Sequence, residues 1–289
     1  NYPGTTILPS TYTFTVGVES WKDNGIHIFE ATGDTDTVRL TYAPYPTAQT
    51  RVTVRDFDNP SKSTDTYVTI ANKPVPPGSI QITYPDPPKT LTAGELVDCT
   101  ALVKDEYGNR VSDYTGTVYF YSDDSNASLP ANYTFTTGGG ADNGQHTWGV
   151  ATSTYVVLKT ATQTGWKITI TDTEQSSITG EKTGIIVNVG TPDTFEVKVD
   201  TTPVITAGDG KSVYVRVTDS CGNTVEDYIE TIAFGSDDLQ AELPSNYTFQ
   251  LSDQGEHTFE GTTSTDTVRL KTKGTRSVEV YQTDIPTRE

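Results

Sequence analysis

Three histidines are this chain's whole supply, and all three stand in one phrase. A glycine, a variable residue, the histidine and an aromatic two places on recur as Gly25…His27…Phe29, Gly144…His146…Trp148 and Gly255…His257…Phe259. Imidazole suits general acid–base work near neutral pH, and it suits zinc. Either use needs partners: a second histidine for a metal pair, or a serine and an aspartate at a recognisable spacing. No copy offers them. A catalytic centre is normally built once, whereas this histidine recurs. It is expected to be scaffold, a half-exposed residue that opens a strand and bonds to the turn before it.

The acidic clusters recur too. Lys104–Asn109 (KDEYGN) and Thr218–Asn223 (TDSCGN) place Asp105 and Asp219 in one repeated turn. Ser122-Asp123-Asp124 and Ser236-Asp237-Asp238 form another. Carboxylates beside asparagine and backbone carbonyls are the hard oxygen ligands that calcium takes. Asp105, Asp123, Asp124, Asp219, Asp237 and Asp238 are therefore calcium candidates. The EF-hand spacing is absent, and Asp, Asn and Ser in turns bond their own backbone without a metal. The turn reading is preferred, and no cofactor other than calcium is expected. A glycosidase pair is not expected, because such a pair lies once in one cleft.

Three glycosylation sequons occur, at Asn126, Asn132 and Asn246, and they matter if the protein is exported. Cys99 falls in an alternating strand, whereas Cys221 falls in a turn of the next repeat. Two such sulfurs should not meet the Cα spacing of a disulfide, so two free thiols are expected. Trp21, Trp148 and Trp166 do not repeat as a set. Exposed aromatics confined to one repeat would mark a ligand-binding face.

The elements that must position these residues are themselves repeated. LPSTYTF at 8–14, LPANYTF at 129–135 and LPSNYTF at 243–249 are one phrase written three times. The second and third copies stay 114 residues apart from Ala93/Ala207 through Ser122/Ser236 to Leu129/Leu243. Such periodicity marks a tandem array. The first copy, from Leu8, shows only the second half of the unit, and Thr35–Leu40 recurs verbatim as Thr265–Leu270. The proline-rich 73–78 and Gly190-Thr191-Pro192-Asp193 mark the junctions. The expected division is 1–76, a partial repeat; 77–189, a complete one; and 190–289, a repeat lacking its last strand.

Threonine is the commonest residue, methionine is absent and the hydrophobic share is 33%. β-branched and aromatic residues fit a pleated, half-buried surface. Val213-Tyr-Val215-Arg-Val217, Ile168-Thr-Ile170, Val278-Glu-Val280 and Val52-Thr-Val54 alternate as strands do, and Gly/Asn/Asp turns punctuate them. Of these, Val213, Val215, Val217, Ile168, Ile170, Val278 and Val280 should be buried. The fold class is all-β: tandem immunoglobulin-like antiparallel β-sandwiches. A net charge of −18 and a pI near 4.4 argue against nucleic acid and against an anionic membrane. No stretch approaches the roughly 20 apolar residues of a membrane span. The chain begins at Asn1, so a processed or excised piece of a longer protein is expected.

The unit reads AG, strand, D-x-x-G-N, strand, S-D-D, L-P-x-N-Y-T-F, G-x-H-T-[FW]. On Asp105, Gly108, Asn109, Asp219, Gly222 and Asn223, with the LPxNYTF and GxHT phrases, it resembles the immunoglobulin-like repeats of bacterial and archaeal cell-surface proteins, the broad group with invasin- and filamin-like modules. That resemblance implies an exported, cell-surface setting. It implies a structural role as surface-layer, stalk or filament building block, with no functional site carried over residue by residue.

The expected function is therefore an extracellular structural protein and not an enzyme. It would associate with itself or with neighbouring repeats of a longer chain, and it would carry or meet glycans. The alternative is an adhesin for a carbohydrate or protein; the remote alternative is an accessory domain of a secreted enzyme. The third unit holds no counterpart of Gly184–Asn188 after Val280. Neither end unit is expected to be self-sufficient, the missing strands coming from a longer chain or from another subunit.

Overall fold

The structure is a computed structural model that describes residues 49–55, 59–69, 77–85, 90–201, 205–260, 262–263 and 265–283. Leu8–Phe14, Trp21, His27 and Thr35–Leu40 lie outside the described residues. Of the first unit, the described part is an antiparallel hairpin of β1 (Gln49–Arg55) and β2 (Ser63–Thr69), in register with Val52 opposite Thr66.

The second unit holds β3 (Ser79–Thr83), β4 (Leu91–Thr92), β5 (Cys99–Lys104), β6 (Thr117–Ser122), β7 (Tyr133–Thr134), β8 (Gln145–Trp148), β9 (Thr162–Asp172) and β10 (Thr179–Asn188). They form two sheets, β3-β5-β8 and β4-β10-β9-β6-β7. The third unit holds β11 (Thr194–Val199), β12 (Gly210–Lys211), β13 (Val213–Thr218), β14 (Thr231–Ser236), β15 (Tyr247–Thr248), β16 (Glu256–Phe259), β17 (Val268–Arg269) and β18 (Val278–Gln282). Its sheets are β11-β13-β16 and β15-β14-β18, with β12 paired to β17. The fold is all-β and sandwiched. Among the described residues no helix is long and apolar enough to cross a membrane.

The second and third units each have their own core, and the alternation fixes it. Cys99, Ala101 and Val103 of β5 are fully buried, as are Val213, Val215 and Val217 at the same positions of β13. Ile168 and Ile170 of β9 close the second unit's core from the opposite sheet. Threonines serve the faces between: Thr117 with Thr134, and Thr231 with Thr248, hydrogen-bond across strand pairs at 2.7 Å.

The structure departs from the sequence reading in three places. β4 runs parallel to β10, Val187 beside Leu91, so one sheet is not purely antiparallel. β10 starts at Thr179, well before Gly184. Val278 and Val280 are only half-buried, because no described strand covers β18 as β10 covers β9.

Gly144 and Gly255 adopt φ of +82° and +74°, and a Cβ there would meet the carbonyl oxygens of Val111 and Val225. Gly222 has φ +86° but open space around it. Gly222→Ala is expected to cost only the conformational penalty, about 1–2 kcal/mol. Gly255→Ala adds a backbone collision and should cost more, lowering the third unit's Tm by roughly 10 °C or more. Equal melting of the two variants in calorimetry would contradict this.

Candidate functional site

The two repeated phrases meet in space. Tyr133 of LPANYTF stacks on His146 with ring centroids 3.8 Å apart, and Tyr247 stacks on His257 at 4.0 Å. Phe135 and Trp148 flank the first stack, Phe249 and Phe259 the second. Beneath each histidine lies an aspartate four residues back. Asp142 accepts the Tyr133 hydroxyl at 2.9 Å and the Thr136 amide at 2.8 Å, and its Oδ1 lies 2.6 Å from His146 Nδ1. Asp253 accepts the Tyr247 hydroxyl at 3.0 Å and the Gln250 amide at 2.7 Å, with its Oδ1 3.8 Å from His257 Nδ1. Burial first, then the carboxylate, pushes the Tyr133 and Tyr247 hydroxyls up to about 12. This packing cluster is repeated in both units. The signal for Asp142 and Asp253 is D-x-G-x-H, present three times with Asp23 as the first.

The acidic pairs do not converge. Asp123 accepts the Lys167 amide at 2.7 Å, whereas Asp124 turns the other way. Asp124 accepts the amides of Lys159 (2.8 Å), Thr160 (3.1 Å) and Asn126 (3.0 Å), and the Thr160 hydroxyl (2.7 Å). Asp237 and Asp238 repeat this split: Asp237 takes the Ser277 amide at 2.7 Å, and Asp238 takes the amides of Lys271, Thr272 and Gln240 and the Thr272 hydroxyl. Asp105 accepts the amides of Tyr107 and Asn109 inside its own turn. A cation at these oxygens would have to displace N–H and O–H donors. Among the described residues no three His, Cys, Asp or Glu side chains are grouped to hold a metal.

Burial opposes the charge on Asp124, but the Thr160 hydroxyl and the backbone donors outweigh it and lower its pKa. Asp172 behaves likewise: burial is overcome by the Tyr114 hydroxyl and the amides of Gln175 and Glu174. Asp238 is held below the usual carboxylate range, by the Thr272 hydroxyl first.

Asp219 makes the third unit's turn and also reaches back to the junction, accepting the Gly190 amide at 2.9 Å. Asn223 of the same turn docks on the second unit. Its Nδ2 donates to the Lys159 carbonyl at 2.8 Å, and its Oδ1 accepts the Ala161 amide at 2.9 Å. Cys221 packs against the second unit's core. The segment 159–161 is thus held from both sides, by Asp124 of its own unit and by Asn223 of the next.

Both cysteines are free; Cys99 is fully buried, and burial pushes its thiol up to about 12. Asn126, Asn132 and Asn246 are all exposed. Trp148 is core, and Trp166 donates to the Thr160 carbonyl at 2.6 Å, covering the sheet where Arg276 bonds the equivalent Thr272 carbonyl at 3.4 Å.

No protein-family model matches the chain, and no curated protein matches it. Among solved structures it is similar to the Escherichia coli adhesin FdeC, at 17% identity over 75% of this chain and 64% of that one, with a TM-score of 0.33. It is also similar to E. coli alpha-2-macroglobulin activated by porcine elastase (10% identity, 82% of this chain, 23% of that one, TM-score 0.34). A third is the apo form of β-glucuronidase 3 from Bacteroides uniformis (15%, 70%, 23%, TM-score 0.24). The chain spans under two thirds of each of these proteins, and at such scores the likeness carries no argument about what it does.

Asp124, Asp142, Asp172, Asp219 and Asp238 are all held below the ordinary carboxylate range. On acidification the unfolded chain therefore binds protons first. The stability these groups give is fully present above about pH 4 and is lost as pH falls through their folded values. Thermal melts should fall steeply only below about pH 4. Asp124→Ala leaves the Lys159 and Thr160 amides without an acceptor and should cost about 2–3 kcal/mol at pH 7, a cost that shrinks at pH 3. A pH-independent cost would contradict the assignment.

Proposed function

We propose that this chain is an extracellular structural protein, a tandem immunoglobulin-like array that forms part of a prokaryotic surface layer, stalk or filament. Its units are taken as 1–76, 77–189 and 190–289. The observation that carries the reading is the junction. The third unit's D-x-x-G-N turn uses its asparagine as a plug into the second unit's backbone, a contact that any neighbouring unit with the same turn can make. The aromatic–histidine cluster and the aspartate clamps occur in both full units, as expected of building blocks rather than of one reactive centre. A net charge of −18 favours solubility over self-adhesion. The exposed asparagines suit glycans in an exported protein.

One observation favours an adhesin. Tyr119 and Tyr121 of β6 are 40% and 55% exposed, and the third unit has Ala233 and Gly235 at those positions. Among the described residues the third unit has one exposed tyrosine on that sheet, Tyr281 opposite Ala233, and the paired strip of the second unit is a platform on which a sugar or a protein surface could stack. Loss of binding to a glycan array in Tyr119→Ala/Tyr121→Ala would favour this reading over the structural one.

Asn223→Ala removes both side-chain bonds to the second unit. Small-angle scattering of the full chain should then show a broader spread of dimensions, with the second unit's Tm unchanged and the third unit, which also loses the Asn223 Nδ2 bond to Asp219 at 2.9 Å, destabilised by about 1 kcal/mol. Electron micrographs of native material should show a lattice, fibre or rods. A compact single-cleft particle, insensitive to Asn223→Ala, would overturn the structural reading.

A further inference from the structure

Two features of the second unit are left over by packing, and the strand register brings them together. The first is the exposed pair Tyr119 and Tyr121 on β6. The second is Asn132, an exposed asparagine that opens an N-Y-T sequon immediately before β7. β7 pairs with β6 through Thr134 opposite Thr117 and Tyr133 opposite Val118. The two threonine hydroxyls meet at 2.7 Å, so both side chains stand on the outer face. Side chains alternate along a strand, so Tyr119 and Tyr121 follow Thr117 on that face. Continuing the antiparallel register by one residue places Asn132 beside Tyr119. On the other side β9 sets Thr171 and Thr169 opposite the two tyrosines, so threonines rather than charges border the rings. An aromatic face bordered by hydroxyls suits the C–H face and the hydroxyl rim of a sugar ring. The other two sequons lack this setting. The Asn126 Nδ2 already donates to Thr160 Oγ1 at 3.0 Å. Asn246 follows the same register in the third unit, with Thr248 opposite Thr231 and Tyr247 opposite Ile232. Its neighbour on β14 is therefore Ala233, with Gly235 beyond it, and Tyr281 lies one strand further off.

We propose that Asn132 is a glycosylation site whose attached glycan folds back onto Tyr119 and Tyr121. The donor is of the lipid-linked oligosaccharide diphosphate class. Asn132 Nδ2 attacks the anomeric carbon, and the C–N bond forms as the C–O bond to the diphosphate breaks. The lipid diphosphate leaves, the amide proton goes to a base of the transferase, and nothing is oxidised or reduced. Transfer precedes the pairing of β7 with β6, while the Thr134 hydroxyl is free. The tyrosine strip then belongs to the chain's own sugar and not to a foreign ligand. The proposal rests on the extracellular reading, because such sequons are modified in exported proteins.

In native material, cell fractionation locates the protein and mass spectrometry maps its glycans. Cell-surface protein with a glycan at Asn132 is expected. Surface protein with a bare Asn132 overturns the proposal and leaves the extracellular reading standing, whereas intracellular protein overturns both. The fold-back is read on the full 289-residue chain exported from a host with asparagine-linked glycosylation. Sugar C–H proton resonances of the Asn132 glycan should be shifted upfield by the tyrosine rings. Release of that glycan by peptide N-glycosidase under native conditions should be about five-fold faster in Tyr119→Thr/Tyr121→Thr. Threonine keeps the strand preference and removes the ring, and release from Asn246 on the same molecules should not change. A bare Asn132, unshifted sugar resonances in the unaltered chain, or a double substitution that leaves Asn132 release unchanged or speeds both sites alike overturns the proposal.

Discussion

Everything in these units depends on the problem of backbone amides that no strand can reach. The strands are short, and several are only two residues long. Where the chain leaves a sheet, buried N–H groups still need acceptors. Aspartate carboxylates take the place of the missing strand. Asp124 holds the amides of residues 159 and 160, Asp238 those of 271 and 272, and Asp105 and Asp219 those of their own turns. Burying a carboxylate is costly, but at Asp124, Asp219 and Asp238 the converging donors offset that cost and favour the charged form. The acidity of the chain is therefore partly structural.

The same device builds the junction. Asp124 fixes segment 159–161 from inside the second unit, and this presents the Lys159 carbonyl and the Ala161 amide outward in fixed directions. Asn223 then reads them with one donor and one acceptor. An amide side chain suits this because it offers both at once. Asn109 holds the same place in the second unit's turn and has its own Nδ2 on Asp105 at 3.0 Å. Stability within a unit and the fit between units thus share one set of backbone groups.

Much of this was legible in the residues. The alternation of Val213, Val215 and Val217 named the core face of β13, and the glycine of GxHT named a turn. Two things were not. Six aspartates look the same to a calcium ion and to a row of amides, since both want carboxylate oxygen. Donors held by Asp123, Asp124, Asp237 and Asp238 lie far off in sequence, as Lys159 does, 35 residues from Asp124, although Asp105 and Asp219 bond amides of their own turns. The burial of Val278 and Val280 was also misjudged, because alternation shows which way a side chain points and not whether anything covers it. β4 running parallel to β10 is likewise a non-local outcome: two residues carry no sign of their partner.

The two full units together form an internal comparison that separates what a closing strand does from what the rest of the sandwich does. With β10 in place, Ile168, Ile170 and Leu91 are buried and the Tyr114 hydroxyl has its acceptor. Without a described counterpart, Val278, Val280 and Ile205 are half-open and the Tyr228 hydroxyl is orphaned. Yet the opposite sheet is unaffected: Val213, Val215 and Val217 stay as buried as Cys99, Ala101 and Val103. So is the aromatic–histidine cluster, which keeps its stacked geometry in both units. The centre of each core lies between β5 or β13 and the strand facing it, and β10 acts on one flank of the second unit.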